Sequence, residues 1–294
     1  MQVIRKSLFE GDALQIGLVE VRPISDVCGA VEWQKSDVVV LPFSGVFSKH
    51  DAPGRYVIGT PNHAVFIASN TPYRLSFPGA IGDRALIFRF NEALAPEQLG
   101  RRGSEFLASH GLLPSNAIML RNLLLTRLQK GEADRFETEA LGLNLLGISL
   151  RSMRAGDILF RRSALIRRMA AVERVKEAIA LAPDHKWSVA KLAGIANLSP
   201  FHLCHVFRQI VGTSIYDYVL RERLAYALDA ILDRSKEITA IALDTGFASH
   251  SHFTARFKSF FNCTPAAFRR LATADHITEL RKIMTAQRGK LAVD

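Results

Sequence analysis

The 294-residue sequence has little of what several protein classes require. Its three cysteines lie far apart without a CxxC pair, which excludes a disulfide-stapled miniprotein and argues against a zinc site. No apolar run reaches the roughly 18 uncharged residues of a membrane span, and the amino-terminal segment lacks the apolar stretch of a signal peptide. The composition, 48% hydrophobic and 22% charged, is that of a folded protein with room for two domains. These features predict a cytoplasmic protein that has no metal or cofactor and no membrane-spanning segment.

The unusual bulk property is charge, because 38 basic residues face 28 acidic ones and leave a net charge of +10. Residues 1–160 hold 17 basic and 16 acidic side chains, whereas residues 161–294 hold 21 and 12. A near-neutral first half followed by a basic second half indicates that the second half meets a polyanion. Charge alone leaves DNA, RNA and an anionic membrane open.

Residues 1–113 alternate short apolar runs with turn residues such as Pro53-Gly54 and Pro78-Gly79. This spacing predicts an antiparallel sandwich or barrel rather than βαβ units. His50 and His63 lie 13 residues apart, with neither HxH nor HxxxH, so no metal centre is predicted. Small barrels can enclose a ligand, and six side chains could line such an effector pocket or simply fill it: Trp33, Phe43, His63, Phe66, Tyr73 and Phe88.

Residues 114–160 change to helical spacing, which predicts helices over about 115–130 and 135–153. Two amphipathic helices at this point could pair with a second copy of the chain or cover the open side of the barrel. The pattern favours neither dimerisation nor coverage of the barrel, so both alternatives stay equally open. The charge run over residues 161–171 has little apolar pattern and is interpreted as a basic linker.

The second half contains an internal repeat, in which residues 188–215 match residues 237–265 at an offset of 49. After a one-residue insertion in the turn, the offset becomes 50. Each copy is predicted to be a helix, a tight turn and a second helix, with Ser199 and Ser249 as N-caps. A helix from about 214 to 232 connects the copies and spans roughly 27 Å. That length suits two reading helices about one DNA turn, roughly 34 Å, apart.

Helix-turn-helix geometry points the outer face of each second helix into the DNA major groove. The apolar stripes of the two helices leave a mixed set of side chains on this face. They are Phe201, Cys204, His205 and Arg208 in the first copy, and His250, Ser251, Thr254, Ala255 and Lys258 in the second.

The two copies and the connecting helix contain a set of characteristic short motifs: Leu192-Ala193, Leu198-Ser199-Pro200, Phe207-Arg208, Gly212-Thr213-Ser214, Arg223-Leu224, Ala227, Ile241-Ala242, Gly246-Phe247, Ser249, Phe253, Phe257-Lys258 and Thr264-Pro265-Ala266-Ala267-Phe268-Arg269. Through them, residues 172–270 resemble the DNA-binding domain of the AraC/XylS family of bacterial transcription regulators. Residues 1–113 look like the cupin-type effector and dimerisation domain of many members. The resemblance implies a cytoplasmic regulator, usually an activator, that binds double-stranded promoter DNA and works with RNA polymerase. It also implies control by a small-molecule effector and a homodimer.

The resemblance carries the family's base-reading positions onto seven residues: Phe201, Cys204, His205, His250, Ser251, Thr254 and Ala255. The family often has Arg at the positions of His205 and Ala255, and neither residue here can make the bidentate contact of Arg with guanine. The target site therefore cannot be copied from a relative, and DNA shape and phosphate contacts carry more weight. Phosphate contacts are predicted for Ser199, Arg208, Ser249, Arg256 and Lys258.

The sequence thus predicts an α+β protein of two domains, an antiparallel cupin-like β-barrel with two trailing helices and an all-α domain of two helix-turn-helix units joined by a long helix. Residues 271–294 are predicted to form a basic tail. Two other functions stay open: a cupin-type enzyme with an appended nucleic-acid-binding module, and an architectural DNA binder without an effector. Bound metal would favour the enzyme, and binding without operator preference would favour the architectural protein.

Overall fold

The computed structural model describes residues 1–90, 109–131, 134–153 and 162–272. The strands form a six-stranded sheet in the order β1-β2-β8-β3-β6-β9 and a three-stranded sheet in the order β5-β4-β7. Every pair of neighbouring strands is antiparallel, as the turn spacing predicted. The strands are β1 (Gln2–Glu10), β2 (Leu14–Arg22), β3 (Val38–Gly45), β4 (Phe47–Ala52), β5 (Arg55–Gly59), β6 (His63–Ile67), β7 (Arg74–Ser76), β8 (Asp83–Phe90) and β9 (His110–Leu112).

The large sheet has two different apolar faces, because successive side chains of a strand point to opposite sides. On β8, Ala85 and Ile87 face the three-stranded sheet and belong to the core between the two sheets. Leu86 and Phe88 face the other way, into a larger core that the helices share. Both faces of the large sheet are therefore covered, one by strands and the other by helices.

The helices follow the strands. They are α1 (Ser115–Lys130), α2 (Arg135–Ser152), α3 (Arg162–Leu181), α4 (Val189–Ala196), α5 (Pro200–Val211), α6 (Ile215–Leu232), α7 (Ile238–Asp244), α8 (His250–Phe261) and α9 (Pro265–Leu271). Helices α1 and α2 confirm the helical prediction for this region. Every residue from Ala117 to Leu125 is buried, because α1 lies between the large sheet and helices α6 and α8. Helix α1 is thus internal to the chain, whereas α2 begins with the 83% exposed Phe136.

The segment interpreted as a basic linker needs a correction, because the chain is helical from Arg162 onward. Helix α3 continues through the segment and buries Val172, Val175 and Ile179 in the core of the first helix-turn-helix unit. Arginine is a good helix former, so a charge run with few apolar residues does not distinguish a loop from an exposed helix turn. The predicted basic tail, from residue 273 onward, lies outside the described residues.

A glycine in the turn of the second unit offers a test of this packing. Gly246 has a φ of +80°, and a Cβ added to it would lie 2.7 Å from the backbone of Asp184. Gly212 has nearly the same φ, +79°, but open space around it. We expect Gly212→Ala to lose about 1–2 kcal/mol of unfolding free energy from the left-handed backbone alone. Gly246→Ala should lose a further ~1–3 kcal/mol from overpacking.

Urea denaturation of the two variants measures this difference. Equal losses would contradict the close approach of the second unit's turn to the loop at Asp184.

Candidate nucleic-acid interface and barrel cavity

The two helix-turn-helix units are built alike, and each includes the helix that precedes it. In the first unit, the Arg174 guanidinium on α3 donates to the Ala196 carbonyl at the end of α4 (3.1 Å). In the second unit, the Arg223 guanidinium on α6 donates to the Gly246 carbonyl just after α7 (2.8 Å). The two arginines lie 49 positions apart, the offset of the repeat. The repeat therefore extends to three helices per unit, beyond the segments that the sequence comparison matched.

The turns of the two units are closed by equivalent backbone hydrogen bonds. The Leu198 amide donates to the Ala193 carbonyl (3.0 Å), and the Phe247 amide donates to the Ala242 carbonyl (2.9 Å). The extra residue of the second unit follows directly as the exposed Ala248. The one-residue insertion lies in the turn, as predicted, where it leaves both helices unchanged.

Helices α5 and α8 begin with the predicted serine caps. The Ser199 hydroxyl accepts from the His202 amide (3.3 Å), and the Ser249 hydroxyl accepts from the His252 amide (3.1 Å). Each helix is anchored by a fully buried apolar stripe at helical spacing: Leu203, Val206 and Phe207 in α5, and Phe253, Phe257 and Phe261 in α8. Both helices therefore have their opposite face free for a partner.

The structure brings the predicted DNA-contact residues onto these free faces. The predicted base contacts Phe201, Cys204, His205, His250, Ser251 and Ala255 and the predicted phosphate contacts Ser199, Arg208, Ser249, Arg256 and Lys258 are all exposed. Phe201 stands out, since an aromatic side chain that is 85% exposed is uncommon on a packed domain.

Thr254 differs from the other six predicted base contacts. It is half-buried, and its hydroxyl oxygen is buried with no hydrogen-bond partner among the described residues. A buried hydroxyl cannot reach a base edge, so in this conformation Thr254 offers no polar contact to DNA.

The barrel is joined by hydrogen bonds to both helix-turn-helix units. On α6, the buried Glu222 carboxylate accepts from the Thr60 hydroxyl (2.7 Å), and burial raises the pKa of Glu222. On α3, the buried Glu173 carboxylate accepts from the Ile58 amide (2.7 Å) and from the Lys176 ammonium (2.9 Å). The first helix of each unit is thus held by the strands and turns around residues 58–60.

His63 lies in this domain contact and not in a barrel pocket, which corrects the prediction for it. Its ring is hydrogen-bonded to the Thr60 hydroxyl (2.9 Å) and lies 6.1 Å from the ring of Tyr218 on α6. Complete burial, aided by the nearby Lys176, holds the pKa of His63 well below its usual value. The side chain is therefore a neutral part of the interface between the barrel and the helices.

A cavity of about 380 Å³ lies between the two sheets. Its wall is mostly aliphatic and includes Val19, Val21, Val38, Val40, Ile67 and Ile87. Of the six side chains predicted to line a pocket, only Tyr73 does so here. Phe43, Phe66 and Phe88 lie on the opposite face of the large sheet, packed against the helices, and Trp33 is 65% exposed.

The prediction chose the wrong face of the sheet because it weighted aromatic side chains. On β8 the aromatic positions alternate with the positions that line the cavity. Because successive side chains of a strand point to opposite faces, only one of the two sets can face the cavity. The residues it missed, Ala85, Ile87 and Arg89, occupy every second position of the same strand. The period-2 pattern was visible in the sequence, but nothing in it indicated which face meets the second sheet.

Asp83, at the start of β8, is the deeply buried charged residue of this cavity wall. It is 8% exposed, and none of the described groups donates a hydrogen bond to its carboxylate. Burial raises the pKa of Asp83 to about 7. The sequence pattern does not distinguish this residue, because a lone aspartate at the start of a strand is typical of a turn.

Within the described residues, no cluster of three or more His, Cys, Asp and Glu side chains could hold a metal ion. Among the described residues, no helix is both long enough and apolar enough to cross a membrane.

Two capped helices with free faces, held by equivalent three-helix units, define a double helix-turn-helix DNA-binding protein. A family model described as a helix-turn-helix domain matches residues 192–271. The probable transcription factor PqrA of Proteus vulgaris is 37% identical over 82 residues, 28% of this chain and 67% of PqrA. The chain belongs to the AraC/XylS family and is a DNA-binding transcription regulator.

Similarity to one further regulator extends over more of the chain at lower identity. The probable transcriptional regulator LumQ of Photobacterium leiognathi is 22% identical over 250 residues, 79% of this chain and 95% of LumQ. Several further relatives are covered over only 30–31% of their own length. Among solved structures, ToxT of Vibrio cholerae O395 is 15% identical with a TM-score of 0.36 over 90% of this chain and 100% of that one.

The buried carboxylate of the cavity predicts a pH dependence of stability. The pKa of Asp83 is about 7 in the folded chain against 3.8 for an unperturbed aspartate. Between these two values the unfolded state has lost the proton while the folded state retains it, so unfolding free energy falls as pH rises through the window. At 1.36 kcal/mol per pKa unit, the full effect is up to about 4 kcal/mol.

We expect Asp83→Asn to abolish this loss, because the amide does not ionise. In urea denaturation, the variant should gain stability relative to wild type between pH 4.5 and pH 8. The exposed Asp26→Asn is the matched control and should track the wild type. Parallel pH curves for Asp83→Asn and wild type would show that the carboxylate is solvated or paired in solution.

Proposed function

We propose that the protein regulates promoters by placing α5 and α8 in two adjacent major grooves on one side of the duplex. The observation that carries this proposal is the repeated free face, which two equivalent units present on either side of α6. Helix α6 is about 27 Å long at 1.5 Å per residue, comparable to one helical turn of DNA. Arg223 supports a fixed spacing, since it also donates to the Pro183 carbonyl beside the first unit (2.7 Å).

In this proposal the two reading helices use different chemistry. His205 and His250 provide the polar contacts to base edges, one in each helix. The exposed ring of Phe201 suits apolar contact with a thymine methyl group. Cys204, Ser251 and Ala255 are small enough to allow close approach of the helix to the groove floor.

Backbone phosphates position the helices. The N-termini of α5 and α8 attract anions through their free amides and helix dipole, and Ser199 and Ser249 lie there. Arg208, Arg256 and Lys258 add cationic contacts along the same faces, which strengthens binding to all sequences.

The barrel acts as the regulatory half. A small-molecule effector in the cavity would act on α6 and α3, because the barrel is bonded to Glu222 and Glu173 on these helices. Homodimerisation would use α2 rather than the internal α1, because the exposed Phe136 lies in the first turn of α2. Activation through RNA polymerase follows from the family, and the chain is proposed to be a regulator without a catalytic activity of its own.

Selection of genomic fragments by the purified full-length protein at about 150 mM salt tests the proposal, since nonspecific binding is weak there. We expect the selected fragments to share two boxes centred about one helical turn apart. Fragments without a common motif, with and without candidate effectors, would favour an architectural DNA binder and overturn the proposal.

The two histidines offer the sharpest variants. We expect His205→Ala and His250→Ala each to lose about 1–3 kcal/mol on the selected site and much less on random DNA, because each removes a base contact. Fluorescence anisotropy with labelled duplexes measures both affinities. Lys258→Ala should instead weaken both DNAs alike, as a phosphate contact does.

His50→Ala is the matched control, since His50 lies on β4 of the three-stranded sheet, outside both helix-turn-helix units. It should leave both affinities unchanged. Equal losses on specific and random DNA in the two histidine variants would remove these side chains from sequence readout.

A further inference from the structure

The wall of the barrel cavity is aliphatic except for a few charged and polar groups, and most of these compensate each other. The Tyr73 hydroxyl donates to the Glu32 carboxylate (3.4 Å) and accepts from the Gln34 amide (2.7 Å). Arg5 lies close enough to act electrostatically on the same hydroxyl. Arg5 is exposed, so the charges of Glu32 and Arg5 compensate each other next to solvent.

Asp83 stands apart from that group. Arg89 faces the same cavity six residues further along β8, about 20 Å away at the rise of a strand. Directly beside Asp83 the paired strand positions are Val21 and Gly45, which offer no charge and no side-chain donor. The carboxylate therefore faces an apolar space with no described group to neutralise it.

A buried carboxylate without a counter-ion is expensive, and proteins keep such groups mainly where they act on something. The cavity next to Asp83 has room for a ligand on which the carboxylate could act. Its aliphatic wall would desolvate an apolar body, and its buried end would require a positive charge.

We infer that the cavity binds an apolar organic cation, an alkyl- or arylammonium compound, with its ammonium group paired to Asp83 and its apolar body against the valines of β2 and β3. The inference rests on the proposed role of the cavity as the effector site and names the chemical class of that effector. An ammonium ion carries three donors, and charge-assisted hydrogen bonds of this kind are stronger than neutral ones.

The position of Asp83 also links this ligand to the DNA-binding helices. Asp83 pairs in register with Gly45, whose carbonyl accepts from the Tyr226 hydroxyl on α6 (2.9 Å). Burial and the Glu222 carboxylate raise the pKa of Tyr226, and the charge of Asp83 adds to this effect. One residue further, Arg84 pairs with Asp229 on the same helix (3.6 Å). An ammonium group bound to Asp83 would thus lie beside two contacts with α6. One is the hydrogen bond from Tyr226 to the Gly45 carbonyl on β3, and the other is the ion pair of Arg84 on β8 with Asp229.

Binding of a cation requires the ionised carboxylate, so it is linked to pH. With a pKa near 7 in the empty cavity, Asp83 must release a proton when the ligand binds at pH 6. Ammonium affinity should then fall about tenfold per pH unit below 7. The ionisable group that faces Asp83 from the helices is Tyr226 on α6, and burial raises the pKa of Tyr226 well above its usual value, so this hydroxyl stays neutral between pH 6 and pH 8.

Calorimetric titration of the full-length protein tests the inference with three probes of one shape: 4-phenylbutylamine, 4-phenylbutan-1-ol and 4-phenylbutanoate. At pH 8 we expect the amine to bind at least tenfold more tightly than the alcohol, and the carboxylate to bind most weakly. At pH 6 the amine should weaken about tenfold while the alcohol stays unchanged. Both comparisons use the wild-type protein and need no variant to fold.

Two variants then locate the charge. Asp83→Asn should lose at least tenfold in amine affinity and keep its affinity for the alcohol. Glu32→Gln, which removes the other carboxylate of the cavity wall, should keep the preference for the amine. Tightest binding of the carboxylate, equal binding of amine and alcohol, binding of none of the three, or an unchanged amine affinity in Asp83→Asn would each overturn the inference.

DNA affinity, measured separately by anisotropy, distinguishes this inference from the proposed function. Amine binding at Asp83 without sequence-specific DNA binding would contradict the regulator and leave the ligand class standing. Specific DNA binding without amine binding would do the reverse.

Discussion

Helix α6 carries the contacts on which the rest of the structure depends. It is the first helix of the second unit, the connection between the two units and one of the two helices to which the barrel is hydrogen-bonded. Its buried Glu222 stays in place because the Thr60 hydroxyl bonds to it, since a buried carboxylate without a partner is strongly destabilising. One residue further, Arg223 joins the loop at Pro183 to the turn at Gly246. The spacing of α5 and α8 and the position of the barrel are thus set by adjacent residues of one helix.

The two units are equivalent in design but not in their surroundings. The core of the second unit runs on through α1 into the helix-covered face of the large sheet, as one continuous apolar cluster. The first unit has a separate core of its own, built around Val172, Leu192 and Phe207. A hydrogen bond from the Ile58 amide to Glu173 and a small apolar cluster of Val46, Ile58 and Ala180 connect this unit to the barrel. The second unit thus shares one large core with the barrel, whereas the first unit keeps its own core and contacts the barrel through a smaller apolar cluster and hydrogen bonds.

Local signals were predictable wherever they repeat or lie within a few residues of each other. The serine caps, the apolar stripe of α5, the connecting helix and the position of the one-residue insertion all followed from spacing along the chain. The outward residues of both reading helices followed as well, because helical periodicity assigns a face once the buried stripe is known. Thr254 shows the limit of this reasoning, since its place on the helix does not say which way its hydroxyl turns. The conformation of residues 162–171 was missed because arginine serves a loop and an exposed helix turn equally well.

The sequence by itself determined the class of protein, since two copies of one motif, an excess of positive charge in the second half and the turn pattern of the first half are properties of neighbouring residues. Only the tertiary structure decided which face of the large sheet meets a cavity and which meets helices, because both faces of its strands are apolar and period 2 cannot rank them. That choice placed Phe43, Phe66 and Phe88 in a packed core and left Asp83 facing the ligand space. It also placed His63 against α6, more than 150 residues away in the chain, where burial and not sequence context sets its charge.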